Sequence, residues 1–349
     1  MSATVLTPLR TWFAAHDRVI LRASLVAAVL VAGVLPLLGG AYAVSMGTRI
    51  LIHGLLASSI AVLIRLVKLL PLGHAALMGA GAYGVAIAQS RWEVGFWPSA
   101  AFGLLVGLVV TAVLGAMVLR ATGLYFVMIT VAQGMILWGI AQRWATMTGG
   151  DNGMRGIRRP DAFLSAQDYY WLTLAVVGIA LVVLYRFSTS NFALRLRGVG
   201  DSSKRMSALG YWPPLYRFVA FCVSGFFAAL SGVMYVGYFQ FISPSTVHVG
   251  TSVESLLMVI LGGANAFIGP VIGAVAVLSA RSFVIGYTAR WATVLGVIFI
   301  LVVMFARAGI AGAFRLLFYG PGAAGDGGVL DDDPATTGVA EEEGEVAAR

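Results

Sequence analysis

Apolar runs separated by short polar breaks make up most of this chain. About ten reach spanning or half-spanning length, at 23–44, 48–66, 74–90, 96–119, 124–142, 168–186, 216–239, 247–262, 267–285 and 291–306. A hydrocarbon core of about 30 Å is crossed by roughly 20 apolar residues in a helix. Ala23–Ser45 and Phe96–Leu119 meet that length with almost no charge. Hydrocarbon leaves no water to satisfy an open backbone, so such runs predict helices. The pattern predicts an all-α integral membrane protein of about ten transmembrane or half-spanning helices, with eight or nine full spans if the glycine-interrupted runs stop short.

Two glycine-rich interruptions occupy matching places. Segment three opens Gly73-His74-Ala75-Ala76-Leu77-Met78-Gly79-Ala80-Gly81-Ala82-Tyr83, and segments eight and nine meet at Gly262-Gly263-Ala264-Asn265-Ala266-Phe267-Ile268-Gly269-Pro270. If the chain is two inverted five-helix halves, segments three and eight correspond, and paired interrupted helices point to a transport pathway. Glycines also let helices pack closely, as the spacings Gly103-x-x-x-Gly107 and Gly269-x-x-x-Gly273 allow. Both readings stay open on the sequence.

Composition removes most other classes. Of 349 residues, 59% are hydrophobic and 11% charged, with a mean hydropathy of +0.90; a soluble domain carries roughly 25% charged residues. Cys222 is the only cysteine, which excludes disulfide frameworks and two-cysteine redox motifs. The only lysines, Lys68 and Lys204, lie outside any phosphate-cradling P-loop. His16, His53, His74 and His248 are too dispersed for metal-ligand spacing.

The net charge of +8 hides an acidic tail: 8 of the 15 acids follow Gly320, leaving 22 basic against 7 acidic residues before it. Between apolar spans, that excess reports cytoplasmic loops facing anionic lipid and predicts no nucleic-acid partner. With the N-terminus inside, 15 of the 23 lysines and arginines fall on the inner side, so both termini are predicted to be cytoplasmic. The exception is Arg143–Gln167, placed outside despite four arginines. Ala41-Tyr42-Ala43 resembles a signal-peptidase site, but the preceding run is too long for a signal core, and an uncleaved span is expected. The predicted plan is a cytoplasmic lead at 1–22, a membrane domain at 23–319 with an inside loop at 187–214, and a disordered acidic tail at 320–349.

Six of the seven body acids fall in loops, and Glu254 alone lies in an apolar run, near its end. It is expected to hydrogen-bond a neighbour rather than relay protons, and His53 and His74 to be satisfied packing residues. An ion-coupled carrier is disfavoured, so energy is expected from a partner. The inside loop offers a docking point: Asp201 can cap a short helix that Gly210 and Pro213-Pro214 end. Met206 and Leu209 would share its apolar face. A two-turn helix needs something to lie against; a protein partner and anionic lipid both fit.

Leu72-Gly73-His74-Ala75-Ala76 with Gly79-Ala80-Gly81-Ala82-Tyr83 resembles a signature of branched-chain amino acid ABC transporter permeases. Gly123-Leu124-Tyr125-Phe126 and Thr148-Gly149-Gly150-Asp151-Asn152-Gly153 are similar to later family motifs, as are Ala193-Leu194-Arg195 through Ala208-Leu209-Gly210 and Glu254-Ser255-Leu256-Leu257 with Gly262-Gly263…Gly269-Pro270. The ordered set spans about 70–280, and the longer LIV-type subunit is the nearer type.

The resemblance implies one membrane subunit of a bacterial inner-membrane importer, itself no enzyme and holding no cofactor. ATP would be bound by cytoplasmic ATP-binding subunits; a second permease subunit and an extracytoplasmic substrate-binding protein complete the set, within membrane lipid. Carried over by position, Arg195, Arg197, Asp201, Lys204, Arg205, Ala208, Leu209 and Gly210 would couple to the ATPase. Gly73, His74, Gly79, Gly81, Tyr83, Gly262, Gly263, Asn265, Gly269 and Pro270 would line or flex around the path. Thr148, Gly149, Gly150, Asp151 and Gly153 would face the binding protein. The implied cargo is branched-chain or other hydrophobic amino acids, with urea or short amides as the alternative. A stand-alone carrier or channel for a small polar solute is the runner-up. Gly198-Val199-Gly200 departs from the family's coupling run and predicts a helix that starts late.

Overall fold

The computed structural model describes residues 40–264 and 266–286, together with 293, 294, 296 and 297. Outside them lie the lead at 1–22, most of segment one, nearly all of segment ten, Asn265 and the tail at 320–349. The described residues form α1 (Gly40–Val67), α2 (His74–Trp92), α3 (Phe96–Met117), α4 (Gly123–Arg143) and α5 (Ala145–Thr148). A strand β1 (Met154–Arg155) precedes α6 (Ala166–Ser188), α7 (Asn191–Asp201), α8 (Ser203–Ala208) and α9 (Pro213–Phe239). Then come β2 (Phe241–Ile242), α10 (Pro244–Val247), α11 (Val249–Gly262) and α12 (Gly269–Ile285).

Five of these helices, α1, α3, α4, α6 and α9, are long and apolar enough to cross a membrane. The α11 and α12 helices have 14 and 17 residues. The break predicted between residues 44 and 48 does not exist, because α1 runs unbroken for 28 residues. Its polar positions bond back to the helix: Ser45 Oγ donates to the Tyr42 carbonyl at 2.9 Å, and Thr48 Oγ1 to Val44 at 2.8 Å. A hydroxyl satisfied this way no longer signals a turn.

The α1 helix is the axis of the bundle. Its apolar window is 83% buried, against 33% for α3 and 28% for α4 and α6. Around it pack α9, α6 and α12, with α2 and α3 against the far side of α9. The outer helices turn Leu105, Val109 and Val113, Leu124 and Met128, and Ile179 and Val183 outward. Exposed apolar surface costs about 25 cal/mol per Å² in water, so these faces need hydrocarbon or another helix against them. The chain is a multi-pass membrane protein.

Hydrocarbon surroundings give helices little reason to bury leucine, and close backbone contact holds them instead. A Cβ on Gly232 of α9 would strike the backbone of Met78 and Ala82 on α2. One on Gly81 would strike Ala229, and one on Gly84 the Cα of Gly103 on α3. The α11–α12 hairpin is joined the same way, with Gly262 against Gly269 and Gly273 against Met258.

Gly232→Val should therefore cost on the order of 3 kcal/mol by overpacking, read as a lower thermal midpoint in mild detergent. Gly178, on the outer face of α6 with nothing near its Cβ position, should accept alanine with a gain of up to about 1 kcal/mol.

Candidate translocation and coupling sites

The first site is the start of α2. Lys68, left-handed at φ 53°, ends α1, and residues 68–73 run back into the bundle without helical structure. The helix restarts at His74, whose Nε2 lies 2.7 Å from the Ser224 hydroxyl, near the middle of α9. Open backbone at that depth must be satisfied by protein. Leu72 N–H donates to Thr130 Oγ1 of α4 and Ala75 N–H to Ser252 Oγ of α11, both at 3.2 Å. Ser224 passes the chain on, donating to the Ser59 carbonyl of α1 at 2.7 Å. Four other helices thus converge on the start of α2.

Expected path residues divide here. Gly73 lies against the Thr130 backbone and Gly79 against Val247, while Gly81 serves the α2–α9 crossing. The second cluster packs elsewhere: Gly262 and Gly263 meet Gly269, followed by Pro270, and the turn's Phe267 receives Arg65 at 5.6 Å and Tyr185 at 5.3 Å. Backbone approach, rather than an open channel, is what Gly81, Gly262 and Gly269 display. The histidines correct the sequence expectation, since Nδ1 of both His53 and His74 is buried without a hydrogen-bond partner, as is the Tyr83 hydroxyl.

At the opposite end from α7, the segment after α4 folds onto the helix it leaves. Thr148 Oγ1 donates to the Ala141 carbonyl at 2.7 Å, and Gln142 Nε2 to Asp151 Oδ1 at 2.9 Å. Gly149, Gly150 and Gly153 all hold positive φ, between 56° and 75°, a region that side chains disfavour. Strand β1 then pairs antiparallel with β2, Met154 opposite Ile242. Two of the four arginines that argued against an outer placement have side-chain contacts, Arg155 over the Phe241 ring at 5.5 Å being one. Arg159 donates to the carbonyls of Gly237 at 3.2 Å and Tyr238 at 2.8 Å, at the C-terminus of α9. A cation there complements unsatisfied carbonyls and the helix dipole. Sequence spacing gave no hint of this tie.

The third site is the α7–α8 elbow. Its helices begin earlier than expected and break differently: α7 runs through Gly198-Val199-Gly200, and Ser202, not Asp201, caps α8 by accepting from Arg205 N–H at 3.3 Å. Asp201 instead pairs with Lys68 at 2.9 Å, and Gly200 lies against the backbone of Leu66 and Val67. Ala193, Leu196, Val199 and Met206 face inward. Met206 and Leu209 do not share a face, since Met206 is 9% exposed and Leu209 72%. Arg195, Arg197, Lys204, Arg205, Ala208, Leu209 and Gly210 face outward, with Trp212 beside them. Gly210, at φ 83°, closes the elbow in the left-handed conformation expected.

Glu254 is 4% exposed, and both of its oxygens accept from Nη1 of Arg281 at 3.0 and 3.1 Å. The expectation of a hydrogen-bonded neighbour holds. Its partner, 27 residues on, was legible only as a lone charge in an apolar run.

A multi-pass bundle with a re-entrant helix start and a protruding basic elbow has the form of a permease. The chain belongs to the family described as branched-chain amino acid transport system / permease component, whose model matches residues 42–308. Two curated relatives are the "High-affinity branched-chain amino acid transport system permease protein LivM" of Salmonella typhimurium and that of Escherichia coli K12. Each is 25% identical over 314 residues, covering 82% of this chain and 74% of the relative. The "Autoinducer 2 import system permease protein LsrC" of Salmonella paratyphi B is 27% identical over 143 residues, 40% of this chain and 39% of its own. No solved structure matches.

Arg159→Met removes charge-assisted hydrogen bonds worth about 1.5–3 kcal/mol each. It should leave membrane insertion intact while proteolysis within 145–165 accelerates about tenfold or more; equal cleavage rates would show the tie to be idle.

Proposed function

We propose that this chain is a membrane-spanning subunit of a bacterial inner-membrane importer that moves branched-chain or other hydrophobic amino acids inward by ATP-driven alternating access. ATP is hydrolysed by separate cytoplasmic subunits docked on the α7–α8 elbow. Cargo arrives from an extracytoplasmic binding protein at the β1–β2 end, and a second permease subunit covers the exposed helices. The elbow is the observation that carries this reading. It is rooted in the bundle, with Arg197 donating to the Ser188 carbonyl of α6 at 3.1 Å, Arg217 of α9 to Ser203, and Lys68 of α1 paired to Asp201. Its tip presents two cations beside two large apolar side chains, Lys204, Arg205, Leu209 and Trp212. A free loop would have no cause to hold Leu209 and Trp212 in water.

Rooting on three helices gives the elbow mechanical use, because force on the tip reaches α1, α6 and α9 together. The re-entrant start of α2 contacts α1 through Ser224 and α9 directly, so displacement of those helices moves the backbone at the bundle's mid-depth. Membrane-embedded interrupted helices are where transporters gather their sites.

Purifying the tagged chain from its host in mild detergent should recover an ATP-binding subunit and a second polytopic chain, and reconstitution with the binding protein should give ATP-dependent uptake of leucine, isoleucine or valine. Transport by this chain alone without ATP would overturn the reading. The double variant Arg205→Glu, Leu209→Asp should insert normally, retain less than about a tenth of the ATP-binding subunit and lose coupled uptake in proportion, since inverting a charge and burying a carboxylate each cost over 1.4 kcal/mol, tenfold in affinity.

A further inference from the structure

One polar cluster has no part in the three sites above. It lies in the half of the bundle toward the β1–β2 end, where α1 packs against α9, α11 and α12. Glu254 of α11 is held by Arg281 of α12 at 3.0 Å, which matches one negative charge with one positive. A second guanidinium, that of Arg49 on α1, lies 5.3 Å from the ring centre of Phe239 on α9 and has no carboxylate partner among the described residues. One turn further along α1, His53 stands edge-on to Tyr235 with ring centres 6.2 Å apart. Its Nδ1 is buried and unpartnered, and the charges of both Arg281 and Arg49 act on it. The same two charges act on the Tyr235 hydroxyl.

Among the described residues, two guanidiniums, Arg281 held by Glu254 and the exposed Arg49 with no ion pair, therefore act on a buried ring nitrogen that has no hydrogen-bond partner. Charges within a membrane span are expensive and persist where a partner or a solute compensates them. An arginine set over an aromatic face is oriented but not neutralised, and its planar fork is the natural mate of a carboxylate.

We propose that Arg49, with Arg281–Glu254 and His53 beside it, is a subsite for the carboxylate of the transported solute. Arg49 makes the charged contact, and Glu254, the one carboxylate of the cluster and the partner of Arg281, receives an ammonium when the solute carries one. This rests on the transport reading of the previous section and adds the recognising residues to it. A neutral amide or urea would leave the surplus guanidinium unpaired, so the subsite discriminates against those cargoes.

The test uses the full complex in nanodiscs, nucleotide-bound and without binding protein, with radiolabelled leucine as probe. Leucinamide, which lacks the carboxylate, and 4-methylpentanoate, which lacks the ammonium, compete. Wild type should bind leucine, with 4-methylpentanoate competing and leucinamide failing. Arg49→Gln should weaken leucine and 4-methylpentanoate alike by about tenfold or more, and Arg49→Lys should recover part of that loss, which also covers a glutamine variant that fails to fold. Arg49-dependent binding of 4-methylpentanoate without leucine binding would refute the amino acid reading and keep this one. Equal competition by leucinamide, no binding of any carboxylate, or unchanged affinity in Arg49→Gln would each overturn the subsite. The last result with a lower yield would mark Arg49 as an anchor for lipid phosphate.

Discussion

Contact between helix backbones at glycine is the interaction on which this molecule depends. Its outer faces are as apolar as its interior, so leucine burial gives the helices no preference for one another over lipid. What distinguishes the native arrangement is fit: Gly81 and Gly232 bring α2 and α9 together, Gly84 and Gly103 bring α2 to α3, and Gly262, Gly269 and Gly273 close the α11–α12 hairpin. Buried hydroxyls supplement that fit without competing with it, because most of them spend their hydrogen bond on their own helix, as Ser58 does on Gly54 and Thr111 on Gly107.

Close packing also makes the interrupted start of α2 possible. A chain that leaves its helix inside hydrocarbon needs partners for each freed N–H, and here they come from Thr130 and Ser252 on two different helices. Those bonds form only if α4 and α11 approach closely, which Gly73 permits on one side. The interrupted start of α2 is therefore held by bonds that any shift of α4 or α11 would change. The elbow at the far end roots in α1, α6 and α9, so the two regions share α1 and α9.

Among the described residues six buried polar atoms have no hydrogen-bond partner: Nδ1 of His53 and His74, the hydroxyls of Tyr83 and Ser188, and Nε of Arg65 and Arg217. Most of the buried polar side chains are paid off locally.

The sequence by itself determined that this is a helical membrane protein, because hydropathy and run length act locally and need no partner. It also located the elbow and its Gly210 terminus, since a left-handed glycine followed by Pro213-Pro214 stops a helix wherever it lies. It misplaced the break near residue 45, because hydroxyls that bond to their own helix look the same in sequence as hydroxyls of a turn. It could not choose between hinge and packing for the glycines, as both ask for the same missing side chain. Only the tertiary structure decided that Ser202 and not Asp201 caps α8, for Lys68 lies 133 residues away and takes the carboxylate. The same holds for Arg159 on α9, for Arg281 on Glu254 and for the ring of His53 left open beside two arginines. Each is a meeting of groups on different helices, and one-dimensional spacing carries no record of which helices touch.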